Sequence, residues 1–568
     1  MKKFFVTRTV VLLLLAVFVQ LIFAAQDQPF QGVVSTAHPL ASLVGARILQ
    51  QGGNAIDAAI AVQFALNVVE PMMSGIGGGG FMMIYLADKN EVVIIDSREQ
   101  APAGAKPTMF LNAEGKPLPF TEAIKTGHAI GVPGTLKGLI TAHKLYGSKP
   151  FAELIDPAIE LAEKGVRVNK VLAEYIQPSM YKFNDEAKKI FAPNGQPLPE
   201  GALLVQPDLA KTFRLIRDKG PEVFYEGEIA EAIVKAVQER GGTMTLEDLK
   251  NYDVKFRQPI VGTYRGYKIV SMPPPSSGGL TLLQMLKMLE AYDIKALGHN
   301  TTQTLHLMIE AMHLAYADRG KYLADGDFVK IPYTGYLHPA YIAERGSLID
   351  FQKANPNVTP GDPWKYESAD QTCCAKPFWC EENPSSQTTH FTVRDKWGNL
   401  VVYTTTIEDV FGSGVMVPGY GFLLNNEMTD FDFVPGGVNQ VEPGKRPRSS
   451  MTPTIVFKNE KPWFTVGSPG GATIITSVMQ VIMNIIDHGM DVQSAINAPR
   501  IFSSSYPTVR WEQGLAEHVR RELELRGHKL EPTPRIIGSV QCVLIDHETG
   551  KVYGGADPRR EGTVIMVY

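Results

Sequence analysis

The chain has 568 residues, 44% hydrophobic and 20% charged, with a formal net charge of −4 at neutral pH. Such a chain is long enough to bury a large core, either in more than one ordinary domain or in one large domain of two interleaved halves. The balance is that of a soluble globular protein and excludes a nucleic-acid binder that must neutralise many phosphates, which leaves small-molecule or peptide substrates.

At the start, Lys2, Lys3 and Arg8 precede an apolar stretch from about Val10 to Ala25. It is short for a membrane span and placed like an export signal, so residues 1–25 read as a signal peptide and the protein as secreted or periplasmic. Ala24 and Ala25 suit signal cleavage while Ile22 and Phe23 do not, which leaves an uncleaved anchor open. No later stretch is apolar enough to span a bilayer, so no stable membrane span is expected after signal removal.

Pro39 to about Gln51 has helical periodicity with Gly52-Gly53 as a stop, and Ala55 to Val69 is a second, nearly all-apolar helix. Phe81 to Leu86 and Val92 to Ile95 flank Ala87-Asp88-Lys89-Asn90 as a β-hairpin. Gly75 to Gly80 satisfies G-x-G-x-x-G, but it follows Glu70-Pro71 and opens a strand, whereas a dinucleotide fingerprint follows a strand and opens a helix. Its glycines are read as points of close backbone packing. From Ala129 to Asp325 the pattern is mainly helical, clearest at Leu154 to Lys164, Glu228 to Arg240, Leu280 to Ala291 and Thr302 to Asp318. His306 and His313 with Glu310 between them do not fit H-E-x-x-H and read as core or surface histidines.

From Pro356 to Gln387 proline, glutamate, serine and cysteine replace periodic structure, as in an exposed connector. Cys373, Cys374 and Cys380 cluster there, apart from Cys542. A loop disulfide such as Cys373 to Cys380 fits an oxidising exterior, but the pairing cannot be read from sequence; the spacing and the lack of a nearby histidine disfavour zinc. Strands follow: His390 to Arg394 and Leu400 to Thr406 around a turn at Trp397, then 454–458 and 463–467. Helix Ala472 to Ile486 comes next, and Val540 to Ile545 with Lys551 to Tyr553 make a late hairpin. Strand pairs alternating with helix pairs suggest two sheets between two helical layers.

The junction before the first of these strands reads as a place where a precursor is cut. A threonine hydroxyl inside a chain has no base at a fixed distance, but a threonine released as a new N-terminus carries an α-amine with a reference pKa of about 7.7–8.0. A hairpin centred on Trp397 places Thr388 opposite Thr406, at about 4.5–5.5 Å, so that one hydroxyl orients the other, and puts Glu408 two residues further along the same face. Gly470-Gly471 precede the helix at Ala472, where free backbone N–H groups suit an oxyanion.

These motifs, Thr388-Thr389-His390, Thr404 to Glu408, Leu423 to Met428 with Asp430, Lys445 to Met451 and Gly467 to Gly471, resemble the γ-glutamyltranspeptidase family of N-terminal-nucleophile hydrolases. Upstream, Gly75 to Phe81, the Arg98 segment DSREQAP and Pro273 to Gly279 are similar to that family's large subunit. The resemblance implies an α+β, four-layer αββα sandwich built from one precursor cut between Gln387 and Thr388, giving a large subunit 26–387 and a small catalytic subunit 388–568. It implies that Thr388 is the nucleophile, Thr406 the second catalytic threonine, and Gly470 and Gly471 the oxyanion donors. Arg98, Ser449 and Ser450 would hold the α-carboxylate of a γ-glutamyl donor such as glutathione, and Glu408, Glu427 and Asp430 its ammonium. Acceptors would be water or an amino-acid or peptide amine, with no cofactor and no metal. Position 408 is glutamate where some members carry asparagine, and the segment after Asp430 is short compared with members that fold a lid, which implies an open pocket. The alternatives are a poly-γ-glutamate depolymerase or capsule transpeptidase, a cephalosporin acylase, and a catalytically inactive secreted binding protein.

Overall fold

The computed structural model describes residues 29–367 and 386–568. The signal segment and Cys373, Cys374 and Cys380 lie outside the described residues; Cys542 is a buried free thiol. Strand β1 (Gly32–Thr36) leads into helices α1 (Pro39–Gln50) and α2 (Ala55–Val69). Asn54 and Asp57 start α2 with a reciprocal capping box, and every residue of α2 is buried. A helix buried all round belongs inside a layer, and α2 packs against α1, against helix Phe151–Lys164 and against the sheet beneath.

Further along the chain come β2 (Gly79–Leu86), β3 (Glu91–Asp96), β4 (Lys255–Arg257), β5 (Ile260–Tyr264) and β6 (Tyr267–Ser271), then helices α3 (Gly278–Leu289) and α4 (Thr302–Tyr322). After them lie β7 (Ser386–Asp395), β8 (Leu400–Asp409), β9 (Thr454–Lys458), β10 (Lys461–Gly467), α5 (Thr473–Ile486), β11 (Gln541–Ile545), β12 (Val552–Ala556) and β13 (Thr563–Val567). One seven-stranded sheet runs β13-β1-β7-β8-β2-β3-β4, and a six-stranded sheet runs β12-β11-β10-β9-β6-β5.

Period-two alternation stacks these sheets. On β8, Val401 and Tyr403 join the core under α1 and α2, while Leu400 and Val402 meet Val270, Ile455 and Phe457 of the second sheet. The far face of the second sheet supplies Val456, Phe464 and Val466 to a core shared with α3, α4 and α5. The result is four layers, helix–sheet–sheet–helix. On β7 the same alternation sends Thr392 between the sheets, its hydroxyl 3.0 Å from that of Thr465, and sends Thr389 the other way, onto Glu70 at 2.8 Å.

Two features depart from the helical reading of 129–325 and from the hairpins expected later. Strands β4 to β6 lie inside that region and add to both sheets. They are short and half-exposed, so flanking helical periodicity outweighs them in any long window. Strand β1 pairs with β13 on one side and with β7 on the other, non-local pairings that have no local turn signal.

The glycines before β2 are packing glycines. A Cβ on Gly77 would stand 2.0 Å from the Leu423 carbonyl oxygen, and one on Gly78 2.0 Å from that of Thr406. Gly78→Ala is therefore expected to lower the melting temperature and disturb Thr406, with an overpacking cost of about 1–3 kcal/mol or more. Gly320 in α4 has nothing within 4 Å of its added Cβ. Gly320→Ala is expected to raise the melting temperature, by roughly 0.5–1 kcal/mol of stability. Thermal unfolding of both variants beside the parent protein checks the pair.

Candidate active site

Strands β7 and β8 pair in the register Thr388↔Thr406, Thr389↔Thr405, His390↔Thr404. The two hydroxyls meet, with Thr388 Oγ1 donating to Thr406 Oγ1 at 3.4 Å. Thr406 donates in turn to the carbonyl oxygen of Gln387 at 3.0 Å and accepts the backbone N–H of Glu408 at 2.8 Å. One donor and two acceptor positions are all that a hydroxyl has, and here each is used. The register shifts beyond Thr406, and Glu408 sits at φ 77°. A left-handed conformation costs a non-glycine residue of order 1–3 kcal/mol, and this bulge is what turns the Glu408 N–H back onto Thr406.

Arg560 fixes the other side of the junction. Its guanidinium donates to Thr388 O at 2.9 Å and to the side-chain oxygen of Gln387. Glu70 is buried; burial raises its pKa while the Arg560 charge and the Thr389 hydroxyl lower it. His390 is buried against Gly467; burial pushes it down to about 3, so it is neutral, and it faces the Thr404 hydroxyl at 2.8 Å.

Thr388 and Thr406 open into a narrow polar cleft with Arg98, Glu427, Asp430 and Gly471 on its walls. Arg98 leaves the end of β3, its N–H held by Asp96 at 2.9 Å. Its guanidinium pairs with Glu427 and, at 2.5 Å, with Asp430. Burial opposes the Arg98 charge, but Glu427, Asp430 and Glu99 together raise its pKa. Burial likewise raises Glu427 well above the usual carboxylate range, against the pull of Arg98. Glu427 Oε2 meets no N–H or hydroxyl donor among the described residues, whereas the Asp430 side chain is 26% exposed. Asn425 places this acid by accepting the Glu427 N–H at 2.9 Å while donating to the carbonyl oxygens of Gly77 at 2.8 Å and Gly131 at 2.9 Å.

Ser449 and Ser450 also line the cleft, next to the Pro447 and Arg448 carbonyls to which Arg98 donates at 3.3 and 3.2 Å. Pro275 O accepts the Ser449 N–H, and the Ser450 hydroxyl accepts from Arg319 at 2.8 Å. Gly470 and Gly471 have φ 126° and 56° and turn the chain into α5. Neither N–H donates to an acceptor among the described residues, so both remain available at the helix's positive end.

Of the residues singled out in the sequence, Thr388, Thr406, Arg98, Glu427, Asp430, Ser449, Ser450 and Gly471 all line this cleft. Gly470 lines the neighbouring one with Ser503 and Arg510. Glu408 stands behind the wall, buried and bonded to Asn426; burial, then the charges of Asp430 and Asp409, raises its pKa. The segment after Asp430 folds back on itself: Asn439 donates to Asp430 O at 2.7 Å, and Phe433 stacks on Phe110. Arg560 and Arg319 were not singled out in the sequence. Arg560 stands 172 residues from the threonine it contacts, and no motif marks it.

A family model described as gamma-glutamyltranspeptidase matches residues 41–567. The glutathione hydrolase proenzyme of Bacillus subtilis (strain 168) is 53% identical over 539 residues, covering 94% of this chain and 91% of that protein. The glutathione hydrolase proenzyme of Escherichia coli (strain K12) is 41% identical over 546 residues, covering 93% and 90%. Among solved structures, the cephalosporin acylase from Bacillus halodurans superposes with a TM-score of 0.84 at 31% identity, covering 94% of this chain and 96% of that one.

Beside Arg98, the Glu99 carboxyl is buried and meets no N–H or hydroxyl donor of another residue among the described residues; the acid group of Glu427 is its one hydrogen-bonding neighbour. Burial, partly offset by Arg98, pushes Glu99 up to about 7 from 4.5. A raised carboxyl pKa gives stability that is fully present below about pH 4.5 and is lost as the pH rises through about 7. Glu99→Gln is therefore expected to raise the melting temperature at pH 8, by about 1–3 kcal/mol of stability, and to change it much less at pH 5. Thermal unfolding at the two pH values checks this.

Proposed function

The chain belongs to the γ-glutamyltranspeptidase family, and from that premise we propose that it is an autoprocessing γ-glutamyltransferase and glutathione hydrolase whose nucleophile is Thr388. One observation carries the reading: the Thr406 hydroxyl bridges the Thr388 hydroxyl and the carbonyl of Gln387.

Maturation begins when Thr388 Oγ1 attacks the Gln387 carbonyl carbon. The hydrogen bond from Thr406 withdraws charge from that carbonyl as its oxygen turns anionic. The C–N bond breaks, the nitrogen takes the proton, and the resulting ester is opened by water to a Gln387 carboxylate and a Thr388 amine. Residues up to Gln387 become a large subunit and residues from Thr388 a small one. Arg560, bonded on both sides of the scissile bond, holds the two residues in one orientation during the attack.

In the mature site the freed amine takes the hydroxyl proton as Thr388 attacks the γ-amide of the donor. The N–H groups of Gly470 and Gly471 are suited to the oxyanion, and the leaving amine takes the proton back. The γ-glutamyl ester then passes to water or to the amine of an amino acid or peptide. A donor with both an α-carboxylate and an α-ammonium matches a wall that carries Arg98 beside Glu427 and Asp430. The zwitterion enters the existing ion pair, carboxylate to the Arg98 fork and ammonium to the acids, so that each of its charges meets a group of opposite sign. Glu408 acts from behind through its N–H on Thr406. Export through residues 1–25 belongs to the same proposal; among the described residues no helix is long and apolar enough to cross a membrane.

The likeness to a cephalosporin acylase supports a second reading in which the acyl donor lacks the α-ammonium. Comparing glutathione with glutaryl-cephalosporin decides between them, because the paired acids beside Arg98 favour the donor that carries an amine.

Thr388→Ala is expected to give a single uncut chain without turnover. Thr406→Val, which keeps the shape and loses the hydroxyl, should slow self-cleavage and turnover about 10²–10³-fold, while Thr406→Ser keeps most of both. Arg98→Lys loses the planar fork and should weaken glutathione use roughly ten- to a hundredfold, chiefly in KM. Denaturing electrophoresis, N-terminal sequencing of the smaller fragment and p-nitroaniline release from γ-glutamyl-p-nitroanilide check these outcomes.

A further inference from the structure

On the far side of the second sheet, helix α4 brings His306, Glu310 and His313 against His528, which follows helix Glu517–Leu525. All four are buried, none more than 3% exposed. One ligand atom from each of His306, Glu310 and His528 lies within 4.8 Å of the others.

The hydrogen bonds fix where the imidazole protons sit. Asp350 O is 2.7 Å from His306 Nε2, so that nitrogen donates and Nδ1 holds a lone pair. His528 Nε2 lies 2.8 Å from that lone pair and must be the N–H, which leaves His528 Nδ1 as a lone pair. Ser503 gives its own proton to Thr508 O at 2.6 Å and accepts from His313 Nε2 at 2.7 Å, which turns His313 Nδ1 toward Glu310. It stands 3.7 Å from Glu310 Oε1, too far for one proton to bridge. Glu310 Oε2 accepts the Asn355 N–H at 3.0 Å. Glu310 Oε1, His313 Nδ1 and His528 Nδ1 therefore stand buried without a donor among the described residues.

No cationic Lys or Arg lies within ion-pair distance of Glu310 among the described residues; its one ion-pair partner is the His313 ring, at 3.7 Å. A buried carboxylate in this position calls for a cation.

We propose that His306, Glu310 and His528 bind one divalent transition-metal ion of the zinc class. Two imidazoles and a carboxylate are a donor set that zinc accepts, with a fourth position left open, and His306 already donates its other ring N–H to a backbone carbonyl, the support that metal-bound histidines receive. The ion takes the place of the proton between His306 Nδ1 and His528 Nε2. That gap widens slightly so that each nitrogen stands about 2.0–2.1 Å from the metal, and the displaced proton moves to His528 Nδ1, so the ring stays neutral and none is released. With these side chains sealed from solvent the ion is structural. His306 and Glu310 precede Gln387 and His528 follows it, so if the chain is cut as proposed above, the ion ties the two pieces together. The binding itself does not depend on that cut.

The test is to strip the purified full chain with a chelator and titrate it with ZnCl2 or CoCl2. Expected are one equivalent bound, visible d–d absorption from cobalt with imidazole ligands, and a higher melting temperature. His528→Ala and Glu310→Gln should bind at least about tenfold more weakly and lose the thermal gain, with turnover of γ-glutamyl-p-nitroanilide at ambient temperature unchanged. Absence of binding above background in the parent protein overturns the proposal, as does parental affinity in both variants. Should His528→Ala fail to fold, Glu310→Gln keeps the size and the bond to Asn355 and carries the comparison.

Discussion

The cross-strand meeting of two hydroxyls, Thr388 on β7 and Thr406 on β8, is the constraint around which the rest of the molecule is arranged. A hydroxyl that donates to a carbonyl, accepts a backbone N–H and faces a second hydroxyl has no freedom left to rotate, and Thr406 is in that state. Its position depends on contacts from far along the chain. Gly78 lets β2 approach the Thr406 carbonyl, the bulge at Glu408 supplies the N–H, and Arg560 secures the strand end that bears Thr388. A nucleophile and its orienting group are more sharply placed on paired strands than on loops, because the ladder fixes both backbones.

Charge in the cleft follows a related logic. Arg98 faces two carboxyl groups, Glu427 and Asp430, in a largely buried setting, so its charge is not buried alone. A zwitterionic ligand exchanges this internal pairing for two external pairs with little net change in charge burial. On the proposed function, selectivity falls on molecules that carry both signs at the right separation, since a ligand with only a carboxylate would draw Arg98 from Glu427 and offer that acid nothing in return.

Much of this was legible in the sequence, and the reasons are physical. The Thr388–Thr406 register follows from a tight turn at Trp397, because once a hairpin turn is placed, pairing is fixed by counting. Helix α2 appears at the expected bounds because its apolar run is long and Asn54 caps it. Strands β4 to β6 were hidden by short length and partial exposure. Strands β1 and β13 were hidden because their partners lie hundreds of residues away. The same holds for side chains: Arg98, Glu427 and Asp430 belong to local motifs, whereas Arg560 and His528 reach their sites only through tertiary folding. Glu408 shows a further limit, since the bulge that gives it φ 77° has no sequence mark and turns the residue from the cleft to its back wall.

The central claim is that the hydroxyl of Thr388, freed by a cut at its own N-terminus, carries the acyl group. Acid quenching during turnover of a slow γ-glutamyl donor, followed by mass spectrometry of the peptides, tests it most directly. The account predicts one added γ-glutamyl group, esterified to the first residue of a fragment that begins at Thr388. An adduct on any other residue, or on an uncut chain, would contradict it.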